Sequence, residues 1–231
     1  MKKIWITSLI AVLALFSLAA CSGGDNSESS KKEENAKSEK SEGESKTGPV
    51  ATVNGQEIPR KEFNQQLEGT KQRYKQMGMK IEGKEKQMEQ GVVNQLIGIE
   101  LLSQKATEAN IKVSKEEVEK GYEQFASKFP SEEERKKALE ESGMTEDKVK
   151  KQLEENIKIQ KYVAENTKEV TVSDEEAKKQ YESMMKGQKN APKFEEAKKQ
   201  IKQQIKSQKQ GQQVTKLVEK LRKEADVKVT L

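Results

Sequence analysis

Beyond the first twenty residues, apolar positions crowd together in one stretch. It reads MEQGVVNQLIGIELLSQKATEAN, and seven of the eleven residues from Val92 to Leu102 are branched aliphatics. On a helical wheel they cover most of the circumference, which predicts a helix over 88–110 packed from several sides. Eleven residues rise only about 16 Å, far short of a bilayer core. Gly98 sits inside this helix at a cost of roughly 1 kcal/mol against Ala, which points to a neighbouring helix at close range. Other helices should lie against this element.

The rest of the chain offers thinner apolar stripes. Val50–Val53 and Gln56–Ile58 flank Asn54-Gly55, a strong hairpin signal. Pro59 suits the first turn of a helix whose Phe63, Leu67, Tyr74 and Met77 share one face. Gly78 and Gly83 bracket a break before the central helix. Ser114 with Glu117, and Ser131 with Glu134, have capping-box spacing, and Thr145 is placed to cap a third helix. The first of these carries Val118, Tyr122 and Phe125 and should stop near Phe129-Pro130. The third carries Val149, Leu153, Ile157, Tyr162 and Val163. KVSKEEVEKGYE at 112–123 is echoed by TVSDEEAKKQYE at 171–182, with seven of twelve positions identical. Two units are too few for a solenoid, and the echo reads as recurring capping chemistry. SMMKGQKNAPK at 183–193 is a break. One long helical pattern then runs from Phe194 to Ala225, interrupted around Gly211, and ends in the alternating strand Val227–Val229. That strand needs a partner, and the hairpin is the candidate, so the ends of the folded part should meet.

The N-terminus has a different character. Lys2 and Lys3, an apolar run from Ile4 to Ala20, and Leu18-Ala19-Ala20-Cys21 describe an export signal over 1–20. A signal ending at a cysteine resembles the bacterial lipobox, which implies cleavage before Cys21 and a diacylglycerol on its thiol. Residues 22–48 hold Ala36 as their lone aliphatic and read as a tether of roughly 30 Å r.m.s. span. Cys21 is the single cysteine, so no disulfide framework exists and stability must come from packing. Charged residues make up 36% against 32% hydrophobic, which favours elongated helices around a small core. A formal charge of +5 spread over 44 basic and 39 acidic residues is not a nucleic-acid footprint.

Several chemistries are excluded. Without histidine, and with its one cysteine at the lipobox, the sequence supports neither Ser-His-Asp or Cys-His nucleophiles nor the common zinc sites. No G-x-x-x-x-G-K-[ST] loop occurs, and the four aspartates are too dispersed for a calcium loop. The glutamate pairs are explained by caps and solvated faces. No cofactor or metal is implied, and an enzyme is not expected.

The order of these parts resembles a known family. Val-Ala-Thr-Val-Asn-Gly-x-x-Ile, a helix with Phe63, the LIGIELLSQKA helix and Ile-Lys-Val-Ser-x-Glu-Glu-Val are similar to the N-terminal chaperone domain of SurA. They are closer still to the PrsA-type extracytoplasmic lipoprotein foldases. The resemblance covers about 50–182 and resumes over 193–231. It implies a mainly α fold: a SurA N-terminal, trigger-factor-like peptide-binding helical domain with a small β-hairpin completed by a C-terminal strand. The domain would comprise 49–182 and 193–231. In PrsA-type proteins a histidine-dependent parvulin prolyl isomerase domain sits between those blocks, where this chain has only residues 183–192. The implied function is that of a membrane-anchored, ATP-independent chaperone for unfolded or newly exported polypeptides. An adaptor lipoprotein holding one partner is the alternative, and a prolyl isomerase comes third. Mobile Met and aromatic side chains adapt to varied clients, so the candidate groove residues are Tyr74, Met77, Met79, Met88, Phe125, Phe129, Met144, Tyr162, Met184 and Met185. Ordinary core packing is the alternative role for each.

Overall fold

The computed structural model describes residues 48–186 and 192–231. The export signal, Cys21 and nearly all of the tether lie outside the described residues, as do positions 187–191 of the break. The fold starts with strands β1 (Ala51–Val53) and β2 (Gln56–Ile58). They are joined by Asn54 (φ 51°) and Gly55 (φ 85°), the two left-handed residues that a tight hairpin turn with the right twist requires. Strand β3 (Val227–Val229) adds antiparallel to the other side of β1, giving the order β2-β1-β3. The two ends of the folded chain therefore meet, as their patterns predict.

Side chains lock this junction. Arg60 donates to the Gly48 carbonyl at 3.2 Å and to the Thr230 carbonyl at 3.0 Å. Asn54 accepts from the Asp226 amide at 2.9 Å and donates to Gln104 at 2.8 Å, so the hairpin turn is tied to both β3 and the central helix. Pro59 stands one position before the helix it was expected to open. It is the N-cap of α1 (Arg60–Gln76), in extended conformation, with no side-chain acceptor to offer. Arg60 takes the first helical position.

The apolar stretch forms α2 (Glu85–Glu108). Val92, Val93, Leu96, Ile97, Leu101, Leu102 and Ala106 are all buried on it, and they join Val50, Ala51, Val53 and Ile58 of the sheet with Phe63 and Leu67 of α1 in the main core. Two further helices reach it, α5 (Glu146–Asn166) through Tyr162 and α7 (Phe194–Glu224) through Leu221. Gly98 explains itself here. A Cβ at that position would stand 3.2 Å from Val218 Cγ1, so α7 comes as close to α2 as a bare backbone permits.

Both long helices also leave the main core. The other end of α5 packs with α3 (Lys115–Ala126) and α4 (Glu132–Glu141) around Tyr122, Leu139 and Val149. The other end of α7 packs with α6 (Asp174–Met185) around Ala177, Ile201 and Ile205. At 31 residues, α7 is about 46 Å long. The helix is continuous through Gly211, where the apolar pattern lapses. Its Gln and Lys residues favour helix, and the lapse falls where α7 passes from one core cluster to the next. Helix α6 runs on through Met185, so the break starts later than residue 183.

The echo reaches further than capping. Ser114 and Glu117 form a reciprocal capping box, while Ser131, Thr145 and Ser173 each accept one amide from three residues on. Glu117 and its counterpart Glu176 additionally pair with a lysine of the long helix alongside, Lys161 at 2.6 Å and Lys209 at 2.7 Å. Tyr122 packs in the α3–α5 cluster and its counterpart Tyr181 against the α6–α7 cluster. The repeated residues thus dock each short helix onto its long one.

Candidate functional site

Helices α1 and α2 are antiparallel neighbours joined by the turn from Met77 to Lys84. Between the end of α1 and the start of α2 lies an open cavity of about 560 Å³. Helix α1 contributes Thr70, Arg73 and Tyr74, the turn gives Met79 and Lys84, and α2 gives Gln87, Met88, Gly91, Val92 and Gln95. The volume lies inside the range of roughly 300–1,000 Å³ typical of ligand pockets. Its lining is mixed: Met88 and Val92, both buried in the main core, close the floor, Met79 is 40% exposed at the edge, and Thr70, Arg73, Lys84, Gln87 and Gln95 are polar. Met77, the C-cap of α1, is the most exposed large apolar residue beside it at 61%. Ile99 is 43% exposed, and helical spacing carries it onto the same face of α2 as Met88, Val92 and Gln95. On that face Met88 and Val92 are buried and Gln95 is polar, so Ile99 is an exposed apolar residue set apart from the cavity.

The candidate residues divide among several places. Tyr74, Met79 and Met88 come together in this cavity, with Met77 next to it. Tyr162 is buried in the main core. Core contacts hold it there, as its stripe on α5 continues through Ile159 and Val163. Phe125 and Met144 pack in the α3–α5 cluster, and the Phe125 and Phe129 rings meet edge to face at 5.2 Å between centroids. Met184 and Met185 sit in the last turn of α6.

Sequence reading missed Arg73, Lys84 and Gly91. Gly91 carried the one available signal, a glycine inside a helix that no close packing requires. A Cβ placed there meets nothing within 4 Å, so the missing side chain leaves the cavity open. The cavity's charge is one-sided. Arg73 and Lys84 line it, no carboxylate does, and neither cation is in an ion pair among the described residues. Carboxylates gather instead around Glu62 in the first turn of α1. Its acid is held above the usual carboxylate range by partial burial and then by Glu100 and Glu155. Among the described residues no group of His, Cys, Asp or Glu is arranged to hold a metal ion. No helix there is long and apolar enough to cross a membrane.

A helical body on a three-stranded sheet closed by the C-terminal strand defines the class. The SurA-like N-terminal domain matches residues 1–163, well over half of the chain, and the chain belongs to that family. Three curated relatives share a name. The chain is 31% identical over 195 residues to the foldase protein PrsA of Clostridium perfringens, covering 80% of this chain and 53% of that protein. It is 32% identical over 146 residues to the foldase protein PrsA of Clostridium acetobutylicum, covering 58% of this chain and 44% of that one. The same name belongs to a relative from Caldanaerobacter subterraneus, 32% identical over 146 residues, covering 58% of this chain and 42% of that one. The chain spans about half the length of these curated relatives. It is a member of a chaperone and foldase family.

Proposed function

We propose that this chain is an ATP-independent chaperone that holds unfolded or newly exported polypeptides outside the cell membrane, tethered through a lipid on Cys21. The observation that carries the reading is the α1–α2 cavity. Tyr74, Met79 and Met88 line it, and Met77 stands exposed beside it. Methionines repack at low cost around different side chains, so such a surface tolerates many sequences. Membership of the SurA-like family and relatives called foldases support the reading. The lipobox supports the tether. Prolyl isomerase chemistry is not part of the proposal, because residues 183–192 stand where a parvulin domain would be inserted and the chain has no histidine.

The test is light scattering of several chemically denatured, diluted clients with the whole chain at equimolar ratio and no nucleotide. Aggregation should be suppressed. Gly91→Leu should abolish the suppression, since the leucine enters open space and fills the cavity without disturbing the core. Unchanged aggregation of every client, together with tight binding of one folded partner, would replace the chaperone by an adaptor.

A further inference from the structure

Resting on the chaperone reading of the α1–α2 cavity, we infer that this site selects extended client segments in which an acidic side chain adjoins a large apolar one. Apolar lining alone would not discriminate among clients, because Met and aromatic contacts accept any large hydrophobic side chain. The charges at the cavity do discriminate. Arg73 and Lys84 reach it from opposite walls, and the ten residues around it include no Asp or Glu. Neither cation is neutralised by an ion pair within the described residues, whereas Lys71, two residues before Arg73, is paired with Glu68 at 2.7 Å. Lys84 is also the N-cap of α2 and supplies no side-chain acceptor to the helix. The positive end of α2 meets the negative end of α1 there, so the two side-chain cations, not the helix dipoles, set the charge of the cavity.

The complementary ligand therefore has two parts. A large apolar side chain sits against Tyr74 and Met79, and a neighbouring carboxylate takes the Arg73 and Lys84 donors. The chain's own residues 22–48 do not meet this description. They contain glutamates, but Ala36 is their lone aliphatic residue. The occupant is another polypeptide.

The experiment uses fluorescein-labelled peptides of Gly and Ser that differ at one adjoining pair, Glu-Phe, Gln-Phe, Lys-Phe or Glu-Ser. Each is titrated with the whole chain by anisotropy at 50 mM salt. Glu-Phe should bind about tenfold more tightly than Lys-Phe, the scale of one charge-assisted hydrogen bond. Arg73→Gln with Lys84→Gln should remove that difference by weakening the Glu-Phe peptide, leaving Gln-Phe unchanged. Lys84 is exposed and Arg73 half-buried, its guanidinium donating to the Thr70 hydroxyl at 3.2 Å, and an unchanged melting temperature confirms the fold. Gly91→Leu should weaken every Phe-containing peptide. Equal affinities for Glu-Phe and Lys-Phe, with Gly91→Leu still weakening both, overturn the charge selection and keep the groove. Peptide binding indifferent to Gly91→Leu overturns the groove reading itself.

Discussion

Two glycines in α2 test whether the close approach of α7 is real. Replacing a helix-interior glycine by alanine stabilises by about 1 kcal/mol when nothing else changes. For a domain of this size that raises the melting temperature by about 2–4 °C. Gly91→Ala should give this full gain, because its new Cβ meets nothing within 4 Å. Gly98→Ala should not. Its Cβ would stand 3.2 Å from Val218 Cγ1 and 3.7 Å from Cγ2, and the first distance is inside the optimal carbon–carbon separation of about 3.5–4.0 Å. Val218 cannot turn away easily, since a β-branched residue in a helix has one strongly preferred rotamer. Relief requires α7 to shift, which strains the packing of Leu221 and the 2.8 Å bond from Arg222 to Asn94. Overpacking of this kind costs about 1–3 kcal/mol and cancels or exceeds the helical gain. Guanidinium melts with a common slope would measure it: Gly98→Ala should lie at least about 1 kcal/mol below Gly91→Ala. Combining Gly98→Ala with Val218→Ala should recover the deficit as a coupling energy of the same size. Equal gains at both glycines, with no coupling to Val218, would refute the account.

Other outcomes follow from the same contacts. A chain ending after Lys186 loses β3, Leu221 and the amide of Thr230 that bonds the Val50 carbonyl at 2.8 Å. Its melting temperature should fall sharply, and cooperative unfolding at the full-length temperature would contradict the closed sheet. Asp174 is held at about 2, below the usual aspartate value of 3.8, by hydrogen bonds from Lys198 and Lys202. A depressed carboxylate contributes stability above its unfolded value and loses it as pH falls through the folded one. The stability difference between wild type and Asp174→Asn should therefore be constant above pH 3.8 and close as pH falls toward about 2. A difference that persists at the acid end would assign the contact to packing. Intact mass of the native membrane-extracted protein should show a diacylglyceryl group on Cys21. A soluble product with an unmodified thiol would refute the tether.

Local interactions were legible in the sequence because they depend on residues a few positions apart. Asn54-Gly55 sets the hairpin by its backbone preferences, and Ser114, Ser131, Thr145 and Ser173 start helices through amides three residues away. The all-round apolar surface of α2 marked it as the centre, and an unpartnered β3 had one sheet to join. Periodicity distinguishes a buried face from an exposed one, yet it does not say which neighbour covers that face. Only the tertiary structure decided that Tyr162 enters the main core while Phe125 enters another cluster, although both lie on similar stripes. Only it decided that Tyr74, Met79 and Met88 share a cavity. A cavity is the space two helices fail to fill, so it depends on their separation and on absent atoms such as the side chain Gly91 lacks. Arg73 and Lys84 look in sequence like any of the 44 basic residues of a solvated surface. Their distinction, lining one cavity that has no carboxylate, exists only once α1 and α2 are packed side by side.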